Sequence, residues 1–228
     1  MSKLTIRTIL LLALLVMGSA ILVRAQGVSP YFGLGTALDS AGTGTNENTG
    51  GPCPKGQLFD DVVDFACVPG PTMGGVFGVF GGDFMFKPHL GFNGEYAFRF
   101  AQAQYLLDAG LKYRPGFYDF NAVWEPTAGA DKRAVPVIEG GIGGARIALY
   151  QVVQCSVTSI NCTQSFAAGI NANHFQIHGA AGVKLYVKGN IFVKPQFDIH
   201  YVTHLTDQFG RDWVPEVTGS IGYTFGQR

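Results

Sequence analysis

The 228-residue chain carries 16 basic and 16 acidic residues, and only 14% of it is charged, against about 25% in ordinary soluble domains. Its 32 glycines are about twice the usual share, and 13% of residues are aromatic. Such a chain lacks the polar residues to cover a normal water-facing surface, and its near-zero net charge argues against a nucleic-acid partner.

Lys3 and Arg7 precede the apolar run 9–23, and Val23-Arg24-Ala25 places small residues at the two positions a signal peptidase inspects. Residues 1–25 are therefore predicted to be a cleaved secretory signal, and 26–228 a single domain of mildly acidic charge. An uncleaved anchor is disfavoured by the length of the run and by the cleavage site behind it.

No later stretch has the length of a membrane helix, and no segment has a convincing amphipathic helical period. Strand-like runs recur instead. The first covers 28–39 and is followed by a polar, glycine-rich loop, 40–72. The second covers 73–86 and reaches the third, 91–102, through the tight KPHL turn. The fourth, 110–124, is interrupted by Pro115 and Gly116, and the fifth covers 135–150. After a loop at 151–173, the sixth (174–187) and seventh (191–205) flank the short KGN turn, and 216–226 closes the series. Connections after odd-numbered strands are mostly long and the others mostly short, as in an up-and-down barrel embedded from one side. The short connection after the third strand and the long one at 125–134 fit that pattern poorly.

The cysteines fall in two local pairs, Cys53 with Cys67 and Cys155 with Cys162, each within one outer loop. In an exported protein this spacing predicts two local disulfides, each worth roughly 2–3 kcal/mol by loop-closure entropy. Neither pair has a C-x-x-C spacing, which disfavours zinc.

Side-chain parity raises the central question. In the seventh strand Ile191, Val193, Phe197, Ile199 and Tyr201 alternate with Lys194, Gln196, Asp198 and His200. In the third, Phe92, Tyr96, Phe98 and Phe100 oppose Asn93, Glu95 and Arg99; in the sixth, Phe175, Ile177 and Leu185 oppose His174, Gln176, His178 and Lys184. Tyr118, Phe120 and Trp124 oppose Asp119 and Asn121. A narrow eight-stranded barrel cannot hold so many aromatics inside. The polar faces carry both signs and can pair, as buried charges must. The expected interior network is therefore Glu95, Arg99, Asp119, Glu139, Arg146, Lys184, Lys194 and Asp198, with the apolar face outward on lipid. Glu139 and Arg146 have opposite parity, which a bulge at Gly140-Gly141 or Gly143-Gly144 would reconcile. Trp124, Tyr223 and Phe225 at inner strand ends and Tyr201 toward the outer side suit an interfacial girdle.

A hairpin centred on Gly189 sets His178 opposite His200, His174 opposite His204, and Lys184 opposite Lys194. The four histidines are the candidate metal ligands, against the plainer reading of hydrogen-bonded lumen histidines, which is preferred; no metal or cofactor is expected. The GGIGG run, 140–144, lacks the following helix and lysine of a phosphate loop and reads as a bulge or a close backbone approach. No catalytic centre is expected.

The export signal, the eight alternating strands, YRPGFYDFNAVW, VPVIEGGIGGARIALY and the final VTGSIGYTFG resemble the outer-membrane β-barrel domain family of diderm bacteria, the small OmpA/OmpX-like barrels. That resemblance implies an all-β, eight-stranded antiparallel barrel in the outer membrane. Its partners would be membrane lipid and whatever the outer loops meet, and it is expected to be monomeric. Family members usually end on an aromatic residue, whereas here Gly226-Gln227-Arg228 follow Phe225. The competing readings are a narrow pore and a soluble periplasmic ligand-binding barrel.

Overall fold

The computed structural model describes residues 27–39, 45–46, 67–68, 71–106, 111–129, 131–152, 165–205, 209 and 211–226. The expected signal segment 1–25 lies outside them, as do Cys53, Cys155 and Cys162 of the expected disulfides.

The strands in chain order are β1 (Gly27–Ala37), β2 (Thr45–Asn46), β3 (Cys67–Val68), β4 (Gly75–Lys87), β5 (Leu90–Arg99), β6 (Ala103–Leu106), β7 (Leu111–Trp124), β8 (Ala134–Val152), β9 (Ser165–Lys188), β10 (Ile191–Val202), β11 (Trp213–Tyr223) and β12 (Phe225–Gly226). β1, β4, β5, β7, β8, β9, β10 and β11 each pair antiparallel with the next, and β11 returns to β1 through Tyr31↔Gly222 to Ala37↔Glu216. The sheet is thus a closed eight-stranded barrel without a free edge. Two short strands extend it, β12 continuing the closing seam against β1 and β6 adding to the outer end of β7. β2 and β3 pair separately, Asn46 opposite Cys67, within the loop 40–72.

Burial along β10 alternates strictly, with Phe192, Lys194, Gln196, Asp198 and His200 enclosed and Val193, Phe197 and Ile199 exposed. The same inversion runs around the barrel. Phe92 is 61% exposed and Phe120 69%, whereas Lys184 and Lys194 are each 1% exposed. A surface this apolar, over buried charge, is stable only where the outside is hydrocarbon. Trp124, Tyr223 and Phe225 are exposed at the inner end, and Trp213 packs on Tyr201 at the outer end with ring centroids 4.9 Å apart. No helix among the described residues is long and apolar enough to cross a membrane.

The expected bulge in the glycine run is absent. β7 and β8 stay in one register from Leu111↔Gln151 to Trp124↔Ile138. With parity unbroken, Glu139 faces the lumen and Arg146 faces outward, so Arg146 is no member of the interior network. The glycines serve close approach instead, since a Cβ on Gly141 or Gly143 would overlap the neighbouring carbonyl oxygen of Phe120 or Tyr118. The loop expected at 151–173 is also shorter than read, because β8 runs to Val152 and β9 starts at Ser165 with Val152↔Ser165 paired. A tilted strand crosses an apolar band of ~25 Å in about ten residues. With 19 and 24 residues, β8 and β9 stand well beyond it as a ribbon on the outer side.

Candidate functional site

The buried polar side chains of the described barrel strands gather in the lumen, which has three levels. At the inner level the Lys184 ammonium lies 2.7 Å from Asp83 and 2.5 Å from Glu125, above the Phe192 ring. Asn93 donates to Asp83 at 2.6 Å and to the Tyr31 hydroxyl at 2.8 Å, and that hydroxyl donates to Glu95 at 2.5 Å. Lys194 pairs with Glu139 at 3.2 Å while sitting 3.8 Å from the centroid of the Tyr31 ring. The register places Lys184 opposite Lys194, between Val193↔Leu185 and Gln196↔Gly182. Their like charges are tolerated because each ammonium reaches a different carboxylate set.

The middle level centres on Asp198, which receives Gln196 at 2.6 Å, Thr218 at 3.3 Å and the His178 ring at 3.2 Å. Asp119 accepts from Gln176 at 2.5 Å. His200 does face His178, as the hairpin register requires, and stacks between it and Phe117 with centroids at 4.7 and 4.3 Å. The other histidine pair is not brought together. β10 ends at Val202, His204 takes φ 59° and is exposed, and His174 meets the Thr203 carbonyl at 3.0 Å. One trio among the described residues could converge on a cation: Asp119, His178 and His200, with ligand atoms within 4.8 Å of one another. Both nitrogens of His178 are already engaged, by Asn121 at 3.0 Å and by Asp198, so coordination would break one of these bonds. Calorimetric titration of the folded barrel with zinc or nickel is accordingly expected to give no heat beyond dilution, and a saturable one-to-one heat would reassign the trio as ligands.

The outer level is apolar, which parity on the polar faces did not anticipate. Met73, Phe77, Tyr113, Phe117, Leu205 and Phe209 are buried together there, Phe77 stacked on Phe117 at 5.8 Å and Tyr113 edge-on to Phe209 at 5.7 Å. Arg99 is enclosed at this level, yet it pairs with no carboxylate among the described residues. Its guanidinium donates to the carbonyls of Thr72, Gly74, Ala101 and Tyr113 at 2.9–3.1 Å and lies over the Tyr113 ring, fixing the 71–74 segment across the barrel end. Replacing Arg99 with alanine should leave several carbonyls without donors, lower stability by about 2–3 kcal/mol in urea unfolding, and expose the 71–74 segment to protease.

Of the expected network, then, Glu95, Arg99, Asp119, Glu139, Lys184, Lys194 and Asp198 line the lumen and Arg146 does not. Asp83, Glu125 and Glu216 are the interior carboxylates that the sequence reading missed. Asp83 was readable, because Phe84 and Phe86 follow it on the opposite, apolar parity. Glu125 lies just past the end of β7, where no period applies.

No family model and no curated protein matches the chain. Among solved structures it is similar to the outer membrane protein OprG from Pseudomonas aeruginosa, at 10% identity over 89% of this chain and 97% of that one, with a TM-score of 0.51. It is also similar to Neisserial surface protein A, at 8% identity over 87% and 96%, with a TM-score of 0.49. A third likeness is to Ail, the attachment invasion locus protein of Yersinia pestis, solved with the heparin analogue sucrose octasulfate, at 12% identity over 87% and 98%, with a TM-score of 0.47. At these identities the likeness is one of fold. The chain shares the eight-stranded antiparallel barrel fold with OprG, and its apolar belt calls for a lipid surround.

Proposed function

We propose that the protein is a non-enzymatic, non-conducting component of the outer membrane whose work is done by its outer surface. The observation that carries this reading is the filling of the lumen. Paired charges occupy its inner and middle levels, and the rings of Phe77, Tyr113, Phe117 and Phe209 close its outer end. A column of fixed ion pairs under an apolar cap offers ions no continuous wet path. The described parts that stand outside are the ribbon made by β8 and β9 and the β2–β3 pair. Disulfides between Cys53 and Cys67 and between Cys155 and Cys162 would brace these surfaces, and mass mapping of a non-reduced digest would find them.

The test is planar-bilayer recording of the reconstituted protein. Traces indistinguishable from bare bilayer are expected. Discrete conductance steps of constant size would overturn the reading in favour of the narrow pore. Recovery in buffer without detergent, with no heat-dependent shift on an SDS gel, would instead favour the soluble ligand-binding barrel.

A further inference from the structure

Charge on the two faces of the barrel is sorted by sign. Every carboxylate on the described barrel strands points into the lumen: Asp83, Glu95, Asp119, Glu139, Asp198 and Glu216. The outward face carries no acid, yet Lys112, Arg114 and Arg146 gather on it at the outer end of β7 and β8. The register makes Arg114 and Arg146 diagonal neighbours, through Arg114↔Ala148 and Gly116↔Arg146. Lys112, opposite Tyr150, stands one step further out.

Both arginines line a crevice of about 110 Å³ that opens outward, with Tyr96, Phe98, Gly116 and Tyr150 around it. Gly116 leaves the space between them open, where a Cβ would come 3.1 Å from the Ala97 carbonyl oxygen and 3.5 Å from both the Tyr96 hydroxyl and the Phe98 Cβ. The Arg114 guanidinium lies 5.3 Å from the centre of the Tyr150 ring, and its Nε is buried without a hydrogen-bond partner. Neither arginine has an ion-pair partner among the described residues.

The depth of the crevice identifies what meets it. Arg114 stands about ten residues above Trp124 along β7, and ~3.3 Å per residue at a tilt near 40° makes that roughly 25 Å along the membrane normal. This is the thickness of the apolar band, so the guanidiniums sit where hydrocarbon gives way to the headgroups of the outer leaflet. Two adjacent cations at that boundary need an anion, and guanidinium forks match phosphate oxygens.

Resting on the outer-membrane reading above, we propose that Arg114 and Arg146, with Lys112 beside them, form a site for the phosphate of an anionic lipid headgroup in the outer leaflet. The phosphate lies across the Gly116 notch between the two guanidiniums, and the acyl chains run down the apolar face past Phe98 and Phe120.

The test is native mass spectrometry of the full mature chain, released from detergent with phosphatidic acid or phosphatidylcholine. Wild type is expected to prefer the phosphate monoester lipid by about tenfold or more. The Arg114→Gln/Arg146→Gln pair should fall to the level of the zwitterionic lipid. A Lys87→Gln/Lys188→Gln pair, at the inner end, should keep the preference. Excess inorganic phosphate should not displace the lipid. No preference in wild type, or one unchanged in the arginine pair, overturns the site; full competition by inorganic phosphate overturns the lipid as its source. Heat-modifiable gel migration, run on every variant, separates failure of the site from failure of the barrel.

Discussion

Replacing Lys184 with methionine is expected to cost about 3–5 kcal/mol of barrel stability, the penalty for stranding a buried counter-charge. The Lys184 side chain is 1% exposed and its ammonium is the only cation that touches both Asp83 and Glu125 among the described residues. Methionine fills much of the same stem volume against Phe192, so the loss reports charge rather than a cavity. Urea unfolding of the barrel in phospholipid vesicles measures it, read as a fall in midpoint without a change in slope. Adding Asp83→Asn and Glu125→Gln should recover most of the loss, because the stranded carboxylates are then gone. Lys188, exposed at the end of β9, is the control and should stay within about 0.5 kcal/mol. A loss below about 1 kcal/mol for Lys184→Met would mean that the ion pairs do not hold the inner lumen together.

Gly143→Ala is expected to destabilise by about 3 kcal/mol or to prevent folding, since the added methyl meets backbone that cannot step aside. It would overlap the Tyr118 carbonyl oxygen and lie 2.7 Å from Asp119 Oδ1. Gly140, in the same GGIGG run, has its nearest neighbour at 4.0 Å, so Gly140→Ala should be neutral or slightly stabilising. The contrast distinguishes close packing of β7 on β8 from a general need for glycine. Equal effects at the two positions would contradict it.

Much of the fold was legible because a strand writes its two faces into alternate residues. Phe92, Phe120 and Phe175 against Asn93, Asp119 and Gln176 marked the strands, and the volume of the rings decided which face met lipid. The hairpin register through Gly189 was legible too, since a tight turn leaves little freedom, and it placed His178 on His200. What failed was the expectation that Arg146 joins the interior network by way of a bulge. Arg146 needs no bulge if its level is the membrane boundary, and parity along a strand carries no depth.

The outer cap was missed for a related reason. Tyr113 and Phe117 share the inward parity of Asp119, so the lumen-facing side changes from charged to aromatic partway along β7. Only the packing with Phe77 from β4 and Phe209 from beyond β10 shows that these rings converge. His204 left the inward face because the chain turns after Val202, through a left-handed backbone conformation that nothing in the local sequence signals.

The aromatic face meets hydrocarbon and the charged face is enclosed. The chain has two tryptophans, Trp124 and Trp213, and both stand on the outward face, 48% and 56% exposed at opposite ends of the barrel. Their fluorescence in vesicles of brominated phosphatidylcholine tests the claim directly. Strong quenching of both is expected, read one at a time in Trp124→Phe and Trp213→Phe variants, and strongest with bromines near the headgroups. Emission unaffected by the brominated lipid would put the rings inside the barrel and turn its faces the other way.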